Sequence, residues 1–130
     1  MSPTPERFWN AWQTEPALRD LAERWLTTLD GEWADESAEL YRLIDHDPDR
    51  ALKVIFCAVQ LTTEPLILAN LAAGPLEDFL GRHGDQYLDV FHALALRERA
   101  LREVLDGVWQ GSMPKRVWHR IEILKQSAFS

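Results

Sequence analysis

Residues 47–61 read Asp47-Pro48-Asp49-Arg50-Ala51-Leu52-Lys53-Val54-Ile55-Phe56-Cys57-Ala58-Val59-Gln60-Leu61, and this stretch decides the fold. Asp-Pro is a strong helix start. The carboxylate can accept a backbone N–H of the first turn, and proline lacks the N–H that would otherwise be orphaned. From Ala51 to about Leu61 the helix is apolar nearly all round, so it has to be central and covered on several sides. The elements that cover it must come from the flanking sequence.

Toward the N-terminus, Leu18, Leu21, Ala22, Trp25, Leu26 and Leu29 form an apolar stripe at the helical period. Thr14 is a candidate N-cap for that helix, Pro16 fits its first turn, and Asp30-Gly31 is its expected end. Phe8, Trp9 and Trp12 suggest a short helix opened by Thr4-Pro5. Another helix is predicted from about Asp35 to Asp45, with Leu40, Tyr41 and Ile44 inward. Toward the C-terminus, Thr63-Glu64-Pro65 repeats the start signal for a helix over Leu66–Ala73. Gly74 is expected to end it with a positive φ, and Pro75 to open the next helix, running to about His83 with Gly84 as C-cap. Asp85 would then cap a helix with Tyr87, Val90, Phe91 and Leu94 on its inner face.

Leu101, Val104, Leu105 and Val108 form a further stripe, and the pattern leaves open whether the chain bends near Leu96–Glu98 or runs straight to Trp109. Gly107–Pro114 is the loosest stretch. Val117, Trp118, Ile121 and Leu124 mark a last amphipathic helix. No useful length shows strand alternation. The expected fold is therefore all-α, with seven to eight short helices in one domain over residues 1–130. Short connections imply antiparallel neighbours, arranged as an irregular HEAT-like solenoid or a compact orthogonal bundle. No repeat of fixed period chooses between the two.

A chain of 130 residues, 46% hydrophobic and 27% charged, is able to bury a core without staples. One cysteine, Cys57, excludes an internal disulfide, and its apolar setting predicts a buried, inert thiol. The first residues lack the basic start and apolar run of a secretory signal, and no apolar stretch reaches the roughly 20 residues that span a bilayer. A cytoplasmic protein without a membrane partner is expected.

The net charge of −7 is uneven: residues 1–50 carry −7, residues 51–96 carry −3, and residues 97–130 carry +3. Such an acidic N-terminal half repels phosphates, which argues against nucleic-acid binding as the main activity, and it suits a basic protein partner. For any one of these acids, keeping the protein soluble is the simpler reading.

Catalytic motifs are missing from the sequence: there is no phosphate-binding glycine loop, no HExxH and no nucleophile elbow. Asp45-His46-Asp47-Pro48-Asp49 resembles a metal site on paper. It lacks the glycine and terminal glutamate of a calcium loop, and a helix cap with a solvated turn is the expected reading. His46, His83, His92 and His119 are scattered; Asp89 and His92 supply at most half a metal site, and a surface hydrogen bond is the simpler reading. His83 is expected at a helix end. Neither Ser37 nor Ser112 has a histidine pattern to activate it. No metal and no cofactor are expected.

The six tryptophans are several-fold more than usual. Trp25 belongs to a core stripe. Trp9, Trp12, Trp33, Trp109 and Trp118 fall near termini or loops, where they either lid the core or anchor a partner. Trp33 stands out because Glu32, Asp35, Glu36 and Glu39 surround it.

The run Leu71-Ala72-Ala73-Gly74-Pro75-Leu76-Glu77-Asp78-Phe79-Leu80, followed by His83-Gly84, resembles a family of small uncharacterised bacterial proteins with a leucine–alanine–alanine–glycine–proline–leucine–glutamate signature. Gly107-Val108-Trp109 is similar to a second element of that family. The resemblance spans roughly residues 48–121. It implies an all-α bacterial protein and supplies no reaction. Structurally, Gly74 and Pro75 would join two helices, with Glu77 and Asp78 suiting a positive helix N-terminus. Functionally, the same two acids would contact a ligand at the corner.

The sequence thus favours a binding module of the inhibitor or immunity type that covers a basic partner, such as a toxin. Glu32, Trp33, Asp35, Glu36, Glu39, Glu77 and Asp78 are its candidate contact residues. A self-assembling adaptor is the second reading, and an enzyme using Glu77, Asp78 and His83 is the third. Oligomeric state is left open.

Overall fold

A computed structural model describes residues 5–27 and 35–127. Among the described residues there are eight α-helices and no strand. They are α1 (Pro5–Trp9), α2 (Pro16–Leu26), α3 (Asp35–His46), α4 (Pro48–Leu61), α5 (Pro65–Leu71), α6 (Glu77–Arg97), α7 (Arg99–Val104) and α8 (Lys115–Ser127). Short 3-10 turns occupy Ala11–Gln13 and Leu105–Gly107, and a π turn occupies Ala72–Leu76. No described helix is long and apolar enough to cross a membrane.

Helix α4 is the axis. Asp47 caps it by accepting the Arg50 N–H at 3.4 Å. Ala51, Leu52 and every residue from Val54 to Val59 are buried. Five other helices, α1, α2, α3, α6 and α7, pack on it. In a solenoid each repeat meets only its sequence neighbours. Here helices from both halves of the chain share one partner, and the arrangement is a bundle around α4. Phe56 carries the seam, 5.9 Å from the Trp9 ring and 5.7 Å from Phe91, ring centre to ring centre. Gln60 accepts from the Trp12 indole N–H and donates to the Trp9 carbonyl, so these two tryptophans lid one edge of the core. Burial pushes the Cys57 thiol up to about 11.

Several expected boundaries move. The Thr14 hydroxyl donates to the Ala11 carbonyl at 3.1 Å, closing the 3-10 turn, and so does not cap α2. Glu15 occupies the cap position, and its carboxylate instead takes Lys53 of α4 at 2.8 Å. Pro16 removes one of the donors a side-chain cap would have satisfied. Leu29 and the Asp30-Gly31 stop lie outside the described residues.

Gly74 does not take a positive φ, and Pro75 does not open a new helix. Helical backbone continues from α5 into α6 through the π turn, whose wider hydrogen-bond spacing accommodates a proline that cannot donate. Gly74 has a different reason to be glycine: a Cβ there would lie 3.1 Å from the Tyr41 hydroxyl.

Gly84 is not a C-cap either, and Asp85 does not start a helix. Both lie within the 21-residue α6. A Cβ at Gly84 would stand 2.7 Å from Val117 Cγ1, so the missing side chain lets α8 approach α6. Asp85 pairs with Arg116 of α8 at 2.7 Å. His83, mid-helix for the same reason, places Nε2 2.6 Å from the Ile44 carbonyl and so engages the end of α3, not of its own helix. The undecided bend is real: α6 stops at Arg97 and Glu98 is extended.

These contacts make Gly84→Ala destabilising by about 1–3 kcal/mol through overpacking, although alanine is the better helix former by about 1 kcal/mol. Adding Val117→Ala should show favourable coupling in a urea-denaturation double-mutant cycle. Strictly additive effects would mean that Gly84 is not glycine for the sake of Val117.

Candidate functional site

The two stretches that carry the family resemblance meet in space. Glu77 opens α6, and its Oε1 accepts the backbone N–H of Trp109 at 2.8 Å. Gly107 packs on the π turn so closely that a Cβ there would lie 3.0 Å from the Ala72 Cβ. Gly111 holds a left-handed φ of 50° beside the Glu77 carboxylate, a conformation open to glycine at no steric cost. From α8, Lys125 donates to the Val108 carbonyl at 2.9 Å. The loop over residues 108–114 is therefore fastened from α6, the π turn and α8.

What the fastened loop presents is an indole. Trp109 is 71% exposed, the most exposed aromatic ring among the described residues. The Lys125 ammonium lies 5.7 Å from the Trp109 ring and 5.1 Å from Trp118, within cation–π range of both.

Beside it lies a cleft of 240 Å³ lined by Tyr41, Ala73, Gly74, Glu77, Asp78 and Ser112. Asp78 Oδ2 is buried without a hydrogen bond; Arg82 Nε is 3.4 Å away, in ion-pair range but poorly aimed, and Arg82 also pairs with Asp45. Burial raises the Asp78 pKa above the usual carboxylate range; His83 opposes the shift and Glu77 adds to it. Burial, then Asp78 and Glu77, likewise raise the Tyr41 phenol.

A raised carboxyl favours the protonated form in the folded state. Its contribution to stability is full below the unfolded pKa of about 3.9 and is lost as pH rises through the folded value. Asp78→Asn should therefore gain stability relative to the parent between about pH 3 and about pH 7. Urea midpoints at the two pH values check this; a gap that shrinks on going to neutral pH would contradict it.

The expected acidic face on α3 is arranged differently. Glu32 and Trp33 lie outside the described residues, as does the side chain of Asp35, the first residue of α3. Glu36 and Glu39 both turn toward Arg24 of α2, at 4.0 and 3.6 Å, and Arg24 also bonds Asp20. That shared guanidinium spends part of their charge internally. Tyr41 leaves another flank of α3 to line the cleft, so the structure groups Glu77 and Asp78 with Trp109 and keeps them apart from Glu36 and Glu39.

In the Asp45–Asp49 turn the acids have protein partners: Arg82 for Asp45, the Arg50 backbone for Asp47 and the Tyr87 hydroxyl for Asp49. No group of three or more potential metal ligands occurs among the described residues.

Sequence reasoning missed Lys125 altogether. Its signal was there in Trp118 and Lys125, seven apart and so on one face of α8. Tyr41 was read only as core, and Ser112 only as a serine without a base.

The fold and this corner define an all-α protein with an exposed aromatic held beside acidic groups. Residues 26–129 match the model of a family of unknown function, DUF6869, and the chain belongs to that family. No curated protein and no solved structure matches it.

Proposed function

We propose that the chain is a non-catalytic protein-binding module of the inhibitor or immunity type, and that it grips a basic partner at the corner formed by Glu77, Asp78 and Trp109. One observation carries this reading: Trp109 offers its indole to solvent while its backbone and ring are held by Glu77 and Lys125. Tryptophans are enriched among interface residues that dominate binding energy, and a residue whose backbone is already fastened loses less entropy on docking. The carboxylates next to it suit a cationic side chain of the partner, with the net charge of −7 steering the encounter. A basic bacterial toxin fits that description.

An enzymatic reading has one observation of its own, the raised pKa of Asp78 beside Tyr41 in a polar cleft.

The two readings separate in one experiment. Tagged parent chain and Asp78→Lys are used to capture partners from lysate of the source cell, at low and high salt. A stoichiometric basic protein, retained by the parent at low salt and lost with Asp78→Lys, supports the binding module. A partner retained equally by both chains would refute the corner as its site.

A further inference from the structure

We propose that the Trp109 corner is one end of a longer track that takes a single amphipathic basic helix of a partner protein; this rests on the protein-binding reading and specifies what is bound. A second cleft, of 330 Å³, lies between α5 and the α7 end of the loop and is lined by Leu68, Ala69, Glu103, Val104, Asp106 and Gly107 among others. Its connection to the corner follows from the chain on both banks.

On one bank, Ala69 lines the second cleft and Ala73 lines the first. They are exposed, four residues apart on continuous helical backbone, and so about 6 Å from each other on one face. On the other bank, Gly107 borders the second cleft and Trp109, two residues on, is bonded to Glu77 of the first. Close packing of Gly107 on Ala72 and Ala69 keeps the banks together.

Along this track the exposed apolar groups are Pro65, Ala69, Ala73 and Trp109. Carboxylates stand at both ends: Glu103 and Asp106 at one, Glu77 and Asp78 at the other. The occupant that complements this is apolar in its middle and basic toward both ends. Anionic lipid and nucleic acid meet like charge there.

A helix fits better than an extended peptide. The banks are helix and loop, and there is no strand edge among the described residues to satisfy an extended backbone. From Pro65 to Ala73 the track covers about 12 Å, and a partner helix of two to three turns spans that.

The probe is a synthetic amphipathic leucine–lysine helix with lysines at both ends, titrated into the full chain labelled with nitrogen-15. A glutamate version of the peptide is the control. The expected result is saturable amide shifts at Ala69, Ala73, Gly107 and Trp109, with affinity reduced about tenfold or more by Ala69→Arg and by Asp106→Lys. Shifts confined to Trp109 and Asp78, with Ala69→Arg binding like the parent, would overturn the track while leaving the corner reading intact. If Trp109→Ala binds as tightly as the parent, the corner itself has failed. Should the parent dimerise without peptide and Ala69→Arg sediment as a monomer, the track belongs to a second copy of this chain and the partner-helix proposal is overturned.

Discussion

Phe56→Ala is expected to remove about 3–5 kcal/mol of stability, the largest loss of any single truncation considered for this chain. Phe56 is fully buried at the middle of α4 and touches aromatic rings from opposite ends of the sequence, Trp9 and Phe91. The loss combines the transfer energy of the ring with a cavity that cannot close, since α1, α2, α3, α6 and α7 all rest on the same helix. Against a usual total of about 5–15 kcal/mol, the variant should sit near the edge of folding at ambient temperature. Leu66→Ala, by contrast, truncates a side chain left 74% exposed and should fall within about 0.5 kcal/mol of the parent. Urea midpoints with unchanged slope measure both. A loss below about 1 kcal/mol for Phe56→Ala would mean that α4 is not the axis of the bundle.

Trp109→Ala should do the opposite, leaving the fold intact and weakening binding. The ring is mostly in solvent, and the hydrogen bond to Glu77 comes from the backbone, which alanine keeps. Stability should change by less than about 0.5 kcal/mol. Loss of a tryptophan anchor costs about 2–4 kcal/mol of affinity, roughly 30-fold to 1,000-fold in Kd. The Glu77 variants divide the corner further. Glu77→Gln retains an acceptor for the Trp109 N–H and removes only charge, so its effect should be strongest at low salt. Glu77→Ala frees the loop as well and should weaken binding at any salt.

What could be read from the sequence was what local chemistry dictates. Asp47-Pro48 and Pro65 each start a helix because a proline without an N–H suits the first turn, and at Asp47 a side-chain cap adds to it. The run over Ala51–Val59 implied a central helix because no other environment hides apolar side chains on every face. Glycines misled wherever their reason lay far along the chain. Gly84 answers to Val117 and Gly74 to Tyr41, each 33 residues away, and a single sequence shows neither contact. Read locally, a glycine looks like a helix terminator, and two terminators were placed inside helical backbone that continues past them.

The site divides the same way. Glu77 and Asp78 stood out as acids at a corner, and Trp109 as an aromatic near a loop, but nothing local joined residues 32 positions apart. The acids around Trp33 drew attention through density alone. Density does not reveal that Arg24 of α2, 12 and 15 residues earlier in the chain, pairs with Glu36 and Glu39.

The most direct test of the account is a calorimetric titration of the captured partner into three chains at low and high salt: the parent, Asp78→Lys, and the Glu36→Lys/Glu39→Lys pair. The account predicts that Asp78→Lys loses most of the affinity and its salt dependence, while the α3 pair binds within a few-fold of the parent. Loss of binding in the α3 pair, with Asp78→Lys unaffected, would move the interface to the acidic face of α3 and contradict the corner as the functional site.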